Sequence, residues 1–166
     1  MSVTLRAPAA DELPALQTLE AAARRRYAAW PDLAFVAGRP PIALERLAAG
    51  TVWVAEHAGR PAGFILLQPQ DGQLYIANIS VAPEAGGRGI GAALLAQALT
   101  GARTLGAEAL TLTTFRAPPW NGPWFRRHGY TLMPAEHIRP TLRATLERQA
   151  ITVVPATREV LWRPAE

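Results

Sequence analysis

Six consecutive residues, Gly86-Gly87-Arg88-Gly89-Ile90-Gly91, can do chemistry without a reactive side chain. Their four glycines let the backbone turn tightly and leave its N–H groups uncovered. The run Ala92-Ala93-Leu94-Leu95 continues the turn into a helix. A helix start presents unpaired N–H groups and the positive end of its dipole. Together these make a cradle for a phosphate-bearing ligand. Directly upstream, Asn78, Ile79, Ser80 and Val81 end a strand-like stretch over 74–81 that stops before Pro83.

The elements that must hold this turn are legible around it. A short strand opens the chain at 4–7. A helical period of three and four follows over 11–28 in Leu16, Leu19, Ala23 and Tyr27. Pro31, Gly38, Pro40 and Pro41 mark 30–41 as a loop, and a short helix over 42–48 ends at Gly50. Residues 51–55 and 63–67 flank the turn Ala58-Gly59-Arg60, and Asp71-Gly72 turns the chain into the 74–81 strand, which makes a three-strand meander. The glycine turn then leads into a helix to about Leu105, with Ile90, Leu94, Ala98 and Ala102 on one face and Gly106 at its end. Leu110, Leu112 and Thr114 alternate with Thr111 and Thr113 in the next strand, completing a β–α–β unit. Short helices over 120–128 and 139–148 and strands over 130–133 and 159–163 complete the chain. No internal repeat or linker divides it, so one domain over 3–166 is expected. The fold class is α/β in a mixed layered arrangement, with a mostly antiparallel central sheet flanked by helices.

Three ligand classes compete for the turn. A P-loop is excluded, because no Gly-Lys-Ser/Thr follows at the required spacing. Gly87, Gly89 and Ala92 fit the dinucleotide pattern G-x-G-x-x-G/A, but Thr113-Thr114-Phe115-Arg116 offers no acidic residue for a ribose. The third reading covers more of the chain. Val81-x-Pro83, a short loop, and Gly-x-Gly opening an Ala-Leu-Leu helix resemble the acyl-CoA-binding motif of the GNAT acetyltransferases. The segment from Trp120-Asn121 through Trp124-Phe125 to Gly129-Tyr130 resembles that family's asparagine-to-FYxxxGF region.

The resemblance implies a set of roles. Amides of Gly86, Gly87, Arg88, Gly89, Ile90, Gly91 and Ala92 would bind the CoA pyrophosphate. Backbone groups of Ile79, Ser80 and Val81 would pair with the pantetheine arm, with Val81 polarising the thioester carbonyl. Asn121 and Phe125 would also face the cofactor, Asn78 would orient a water or the amine, and Tyr27, Trp30 and Phe35 would wall the acceptor side. For the aromatics, core packing is an equal reading, and Asn121 also reads as a helix cap.

Three positions depart from the pattern. The family's loop usually opens with Gln or Arg where this chain has Gly86. A tyrosine that protonates the departing thiolate is replaced by Phe125. A carboxylate common on the preceding strand is replaced by Ala77 and Asn78. Glu56, His57, Glu84 and His128 are the candidate substitute bases, and each also reads as a surface residue. The function implied is transfer of an acyl group, acetyl first, from acyl-CoA to a primary amine by direct attack. The alternative is a silent acyl-CoA-binding regulatory module.

Composition sets the outer limits. The 166 residues, 49% hydrophobic and 18% charged, suit a globular core. Absence of cysteine excludes disulfides, thiolate metal sites and a thiol nucleophile. The net charge is +4 and all 17 basic residues are arginine, which reads first as codon bias. Arg24-Arg25-Arg26 is expected on a solvated helix face rather than on nucleic acid. No apolar run could span a bilayer and no signal-peptide pattern opens the chain, so a cytoplasmic protein is expected. The expected partners are acetyl-CoA as co-substrate and a small-molecule or peptide amine, without metal, nucleic acid or membrane. A homodimer is left open.

Overall fold

A computed structural model describes residues 2–166. The described chain divides into two compact units, residues 2–67 with Ala77–Ala98, and Gln68–Ile76 with Leu99–Glu166. One seven-stranded sheet joins, in order of hydrogen-bonded neighbours, β1 (Thr4–Arg6), β2 (Thr51–His57), β3 (Arg60–Gln70), β4 (Gln73–Val81), β5 (Ala109–Phe115), β7 (Arg158–Pro164) and β6 (Thr131–Leu132).

The first unit begins with β1 (Thr4–Arg6), which pairs antiparallel with β2 (Thr51–His57). Helix α1 (Leu13–Ala23) carries Pro14 in its first turn, where a missing N–H costs nothing. Its stripe of Leu16, Leu19 and Ala23 is buried as the period predicts, and Tyr27 is buried just beyond it. The α-helix ends earlier than its sequence period, however. Arg24–Ala29 and Pro31–Gly38 wind as 3-10 segments, so 30–41 is more regular than a loop. The apolar period does not distinguish an α turn from a 3-10 turn over so few residues. Helix α2 (Leu44–Ala49) ends at Gly50.

Ala58 and Gly59, at φ 54° and 75°, join β2 to β3 (Arg60–Gln70). Asp71 and Gly72, at 53° and 80°, join β3 to β4 (Gln73–Val81). Two successive positive φ angles match the right-handed strand twist, which explains the tight hairpins. Helix α3 (Ile90–Leu105) follows the glycine turn, with Ile90, Leu94, Ala98 and Ala102 all at or below 2% exposure.

In the second unit, β5 (Ala109–Phe115) pairs parallel with β4 and antiparallel with β7 (Arg158–Pro164). Its Thr111 and Thr114 are as buried as its leucines, so it is covered on both faces rather than alternating. Helix α4 (Gly122–Arg127) and β6 (Thr131–Leu132) follow, and then α5 (Pro140–Thr152). No helix among the described residues is long and apolar enough to cross a membrane.

Candidate active site

The glycine turn leaves β4 through a single 3-10 turn, Pro83–Ala85, and enters α3 at Ile90. Gly87 and Gly89 sit at φ 77° and 74°, a conformation that L side chains rarely adopt. A methyl group added at either would meet no protein atom within 4 Å. Gly86, Gly87, Arg88 and Gly89 are exposed, whereas Ile90 and Gly91 are buried. The glycines are therefore not required by packing. They create the backbone path and keep the space before α3 clear, which fits a ligand that approaches the main chain.

The second part of the site is an edge of β4. Register with β5 comprises Leu74 with Leu110 and Tyr75 with Thr111, while β4 continues six residues further to Val81. On its other side β4 faces β3. The Ala82 N–H donates to the Ala62 carbonyl at 2.8 Å, and the Ser80 carbonyl would lie 2.8 Å from a Cβ on Gly63. Strand backbones alternate in direction. The main-chain groups of Ile79 and Val81 therefore point away from β3. Those of Ser80 point to β3.

Gly63 is what allows this closeness. Its missing side chain also leaves room for Ile90 Cγ2, 2.9 Å from the added Cβ, so β3, β4 and the start of α3 pack directly on one another. On the side-chain level, Ser80 Oγ donates to Asn78 Oδ1 at 2.7 Å. That bond engages one lone pair of the amide oxygen. An amide is not a base, so Asn78 can orient an amine but not deprotonate it.

The candidate substitute bases are scattered in their settings. Glu56 is held by Arg6 Nε at 2.6 Å. His57 Nδ1 is buried without a hydrogen-bond partner among the described residues. Glu84 is exposed on the 3-10 turn. His128 has its pKa pushed below the ordinary histidine value, first by burial and then by Arg127 and Arg163.

In the second unit, Asn121 is buried at the N-cap position of α4 but its side chain makes no capping hydrogen bond, which corrects the capping role expected of it. Phe125 is 6% exposed and meets Trp124 and Tyr130 edge-on at 5.0 and 5.7 Å. The Tyr130 hydroxyl is buried without a hydrogen-bond partner among the described residues. Gly122 is tightly constrained, because a Cβ there would strike Glu159 Oε2, and Glu159 itself is buried and paired with Arg126. Among the described residues no three His, Cys, Asp or Glu side chains gather to hold a metal.

The expected acceptor wall lies on the 3-10 segments of the first unit. Tyr27 is buried, Trp30 partly buried, and Phe35 47% exposed with the Arg39 guanidinium 4.9 Å from its ring centre. Sequence reading missed what shapes these segments. Arg24 is not on a solvated face: it pairs with buried Glu20 and donates to backbone carbonyls of the segment. The available signal was Glu20 itself, an acid one residue from Leu19 on the buried stripe and four before Arg24.

Comparison with known proteins decides the family. A family model described as the acetyltransferase (GNAT) domain matches residues 48–132, just over half of the chain. The chain belongs to the GNAT acetyltransferase family. The match takes in β2 to β4, the glycine turn, α3, β5, α4 and β6. Solved structures share the GNAT fold over the whole chain. N-acetylglutamate synthase from Neisseria gonorrhoeae, complexed with coenzyme A and N-acetyl-glutamate, is 20% identical with a TM-score of 0.75 and covers 100% of this chain. The chain spans only 36% of that synthase. PaiA N-acetyltransferase from Thermoplasma acidophilum, in complex with coenzyme A, is 13% identical with a TM-score of 0.70, covering 99% of each chain. A ribosomal-protein alanine N-acetyltransferase from Escherichia coli is 15% identical with a TM-score of 0.69, covering 99% of this chain and 95% of its own.

Proposed function

We propose that the chain is an acyl-CoA-dependent N-acyltransferase that moves an acetyl group from acetyl-CoA to a primary amine. The observation that carries this reading is the glycine turn, with two positive-φ glycines facing clear space at the start of a sixteen-residue helix. Membership of the GNAT family and the coenzyme A held by similarly folded proteins support the choice of ligand.

Acetyl-CoA supplies an activated acyl group, and the chain's own residues do the rest. Amides from Gly86 to Ala92 hold the pyrophosphate, aided by the α3 dipole. Main-chain groups of Ile79 and Val81 hold the pantetheine arm, and a β4 N–H at Val81 stabilises negative charge growing on the thioester oxygen. The acceptor nitrogen forms a bond to the carbonyl carbon, the carbon–sulfur bond breaks, and the sulfur leaves as thiolate. The proton lost by nitrogen passes to solvent, since the Asn78 amide is not a base. Most of the rate comes from positioning two substrates together.

A second reading is a silent acyl-CoA-binding module, favoured by Phe125, which has no proton to donate. Incubating the purified chain with acetyl-CoA and a panel of amines, amino acids and peptides separates the two. Amine-dependent release of free thiol is expected. Coenzyme A binding with no release for any acceptor would establish the silent module.

A further inference from the structure

We infer that Glu20 and Arg24 are positioning residues for acceptor recognition, an inference that rests on the transferase reading. Glu20 is 3% exposed, on the inner face of α1. One carboxylate oxygen accepts the Ile42 N–H at 2.8 Å, and the other accepts Arg24 Nε. Arg24 then reaches across with its remaining nitrogens. Nη1 donates to the carbonyls of Val36 at 3.0 Å and Arg39 at 2.9 Å, and Nη2 to that of Pro40 at 3.3 Å. Gln17 Nε2 adds a bond to the Ile42 carbonyl at 2.9 Å.

Four backbone groups between Val36 and Ile42 are thus held by one ion pair, between buried Glu20 on α1 and Arg24 just past its end. That stretch contains Gly38, Pro40 and Pro41 and has no sheet or α-helical ladder of its own. A proline supplies no N–H, so beyond the bond from the Arg39 N–H to the Val36 carbonyl the stretch needs outside partners. The pair supplies them, with four of the five Arg24 N–H donors and both Glu20 oxygens turned to these partners. The role that follows is to hold the chain rather than to touch a substrate. What they fix is the path of the chain directly after Phe35, one of the aromatics that the family resemblance puts on the acceptor side. The hydrogen bonds that Glu20 and Arg24 make go to one another and to the 36–42 stretch, rather than to β4, the glycine turn or α3. The device therefore acts on one substrate and not on the other.

The test uses the full chain with Glu20→Gln and Arg24→Lys. Glutamine keeps the shape and the acceptor oxygen but removes the charge, and lysine keeps the charge but cannot serve three carbonyls at once. KM is measured for the best amine of the panel and, separately, for acetyl-CoA, with hydrogen exchange followed over 31–42. The expected result is an acceptor KM raised about tenfold or more with the acetyl-CoA KM within about twofold, and faster exchange over 31–42 but not over β4 or α3. If Glu20→Gln fails to fold, Arg24→Lys carries the same test. Two KM values that rise together, or an unchanged acceptor KM despite faster exchange, would overturn the inference while leaving the transferase reading intact. A wild-type chain that binds coenzyme A but turns over no amine would overturn both.

Discussion

Gly87 and Gly89 combine a conformation that costs any other residue energy with surroundings that would tolerate its side chain. Packing gives no reason for glycine there, and ligand approach does. Gly89→Ala should therefore cost only about 1–2 kcal/mol of stability, the price of a left-handed backbone, yet weaken coenzyme A binding more severely. Thermal unfolding read beside calorimetric titration checks this, and equal small effects on both would argue against ligand contact at the turn. Phe125 invites the opposite kind of test. If Phe125 stands where the family resemblance expects a tyrosine, Phe125→Tyr supplies that hydroxyl and is expected to raise kcat for thiol release several-fold. An unchanged rate in a folded variant would place that ring away from the departing sulfur.

At the scale of elements, β3, β4 and the start of α3 depend on the bare Cα of Gly63. A Cβ there would stand 2.8 Å from the Ser80 carbonyl and 2.9 Å from Ile90 Cγ2. A backbone oxygen cannot swing aside, so Gly63→Ala should destabilise by about 1–3 kcal/mol. It should also lower coenzyme A affinity by displacing β4 from the glycine turn, and denaturant unfolding with a binding titration would show both. These same elements were largely legible in the sequence, because each has a strong local signature. Asp71-Gly72 forces a hairpin, the Ile90, Leu94, Ala98 and Ala102 stripe forces a helix, and Gly106, at φ 69°, ends it. The site's glycine turn was visible for the same reason. What stayed hidden depends on distant partners. The 3-10 winding of Arg24–Ala29 and Pro31–Gly38 goes with Arg24 turned inward to Glu20 and the carbonyls of Val36, Arg39 and Pro40, contacts that no local pattern records. Double-sided burial of β5 is set by what covers the sheet, and the Asn78 amide orientation by one hydroxyl two residues on.

For the whole molecule, titrating groups define the range of pH over which the fold is steady. His128 has a folded pKa below its ordinary value, chiefly through burial. Folded and unfolded chains are both neutral there above about pH 6.5. Below it the unfolded chain gains the proton first, so stability falls as pH falls. Glu12 and Glu108 are held below the carboxylate range, first by hydrogen bonds from Arg6 and Gln73 respectively. Their contribution is present above the ordinary carboxylate pKa and is lost as pH drops through their lowered values. Tyr130 runs the other way, since burial raises its pKa, and stability is lost as pH climbs above about 10. The melting temperature should therefore be level between about pH 6.5 and 10 and decline on both sides. His128→Gln should remove the first acid step, and an unaltered acid limb in that variant would mean that another group sets it.

The central claim is that the glycine turn binds acyl-CoA, and calorimetric titration of coenzyme A into the purified chain tests it most directly. Saturable one-to-one binding is expected for the wild type and none for Gly89→Asp, which sets bulk and negative charge where the pyrophosphate must lie. A wild-type chain that takes up no coenzyme A, or a folded Gly89→Asp variant that binds it equally well, would contradict the account.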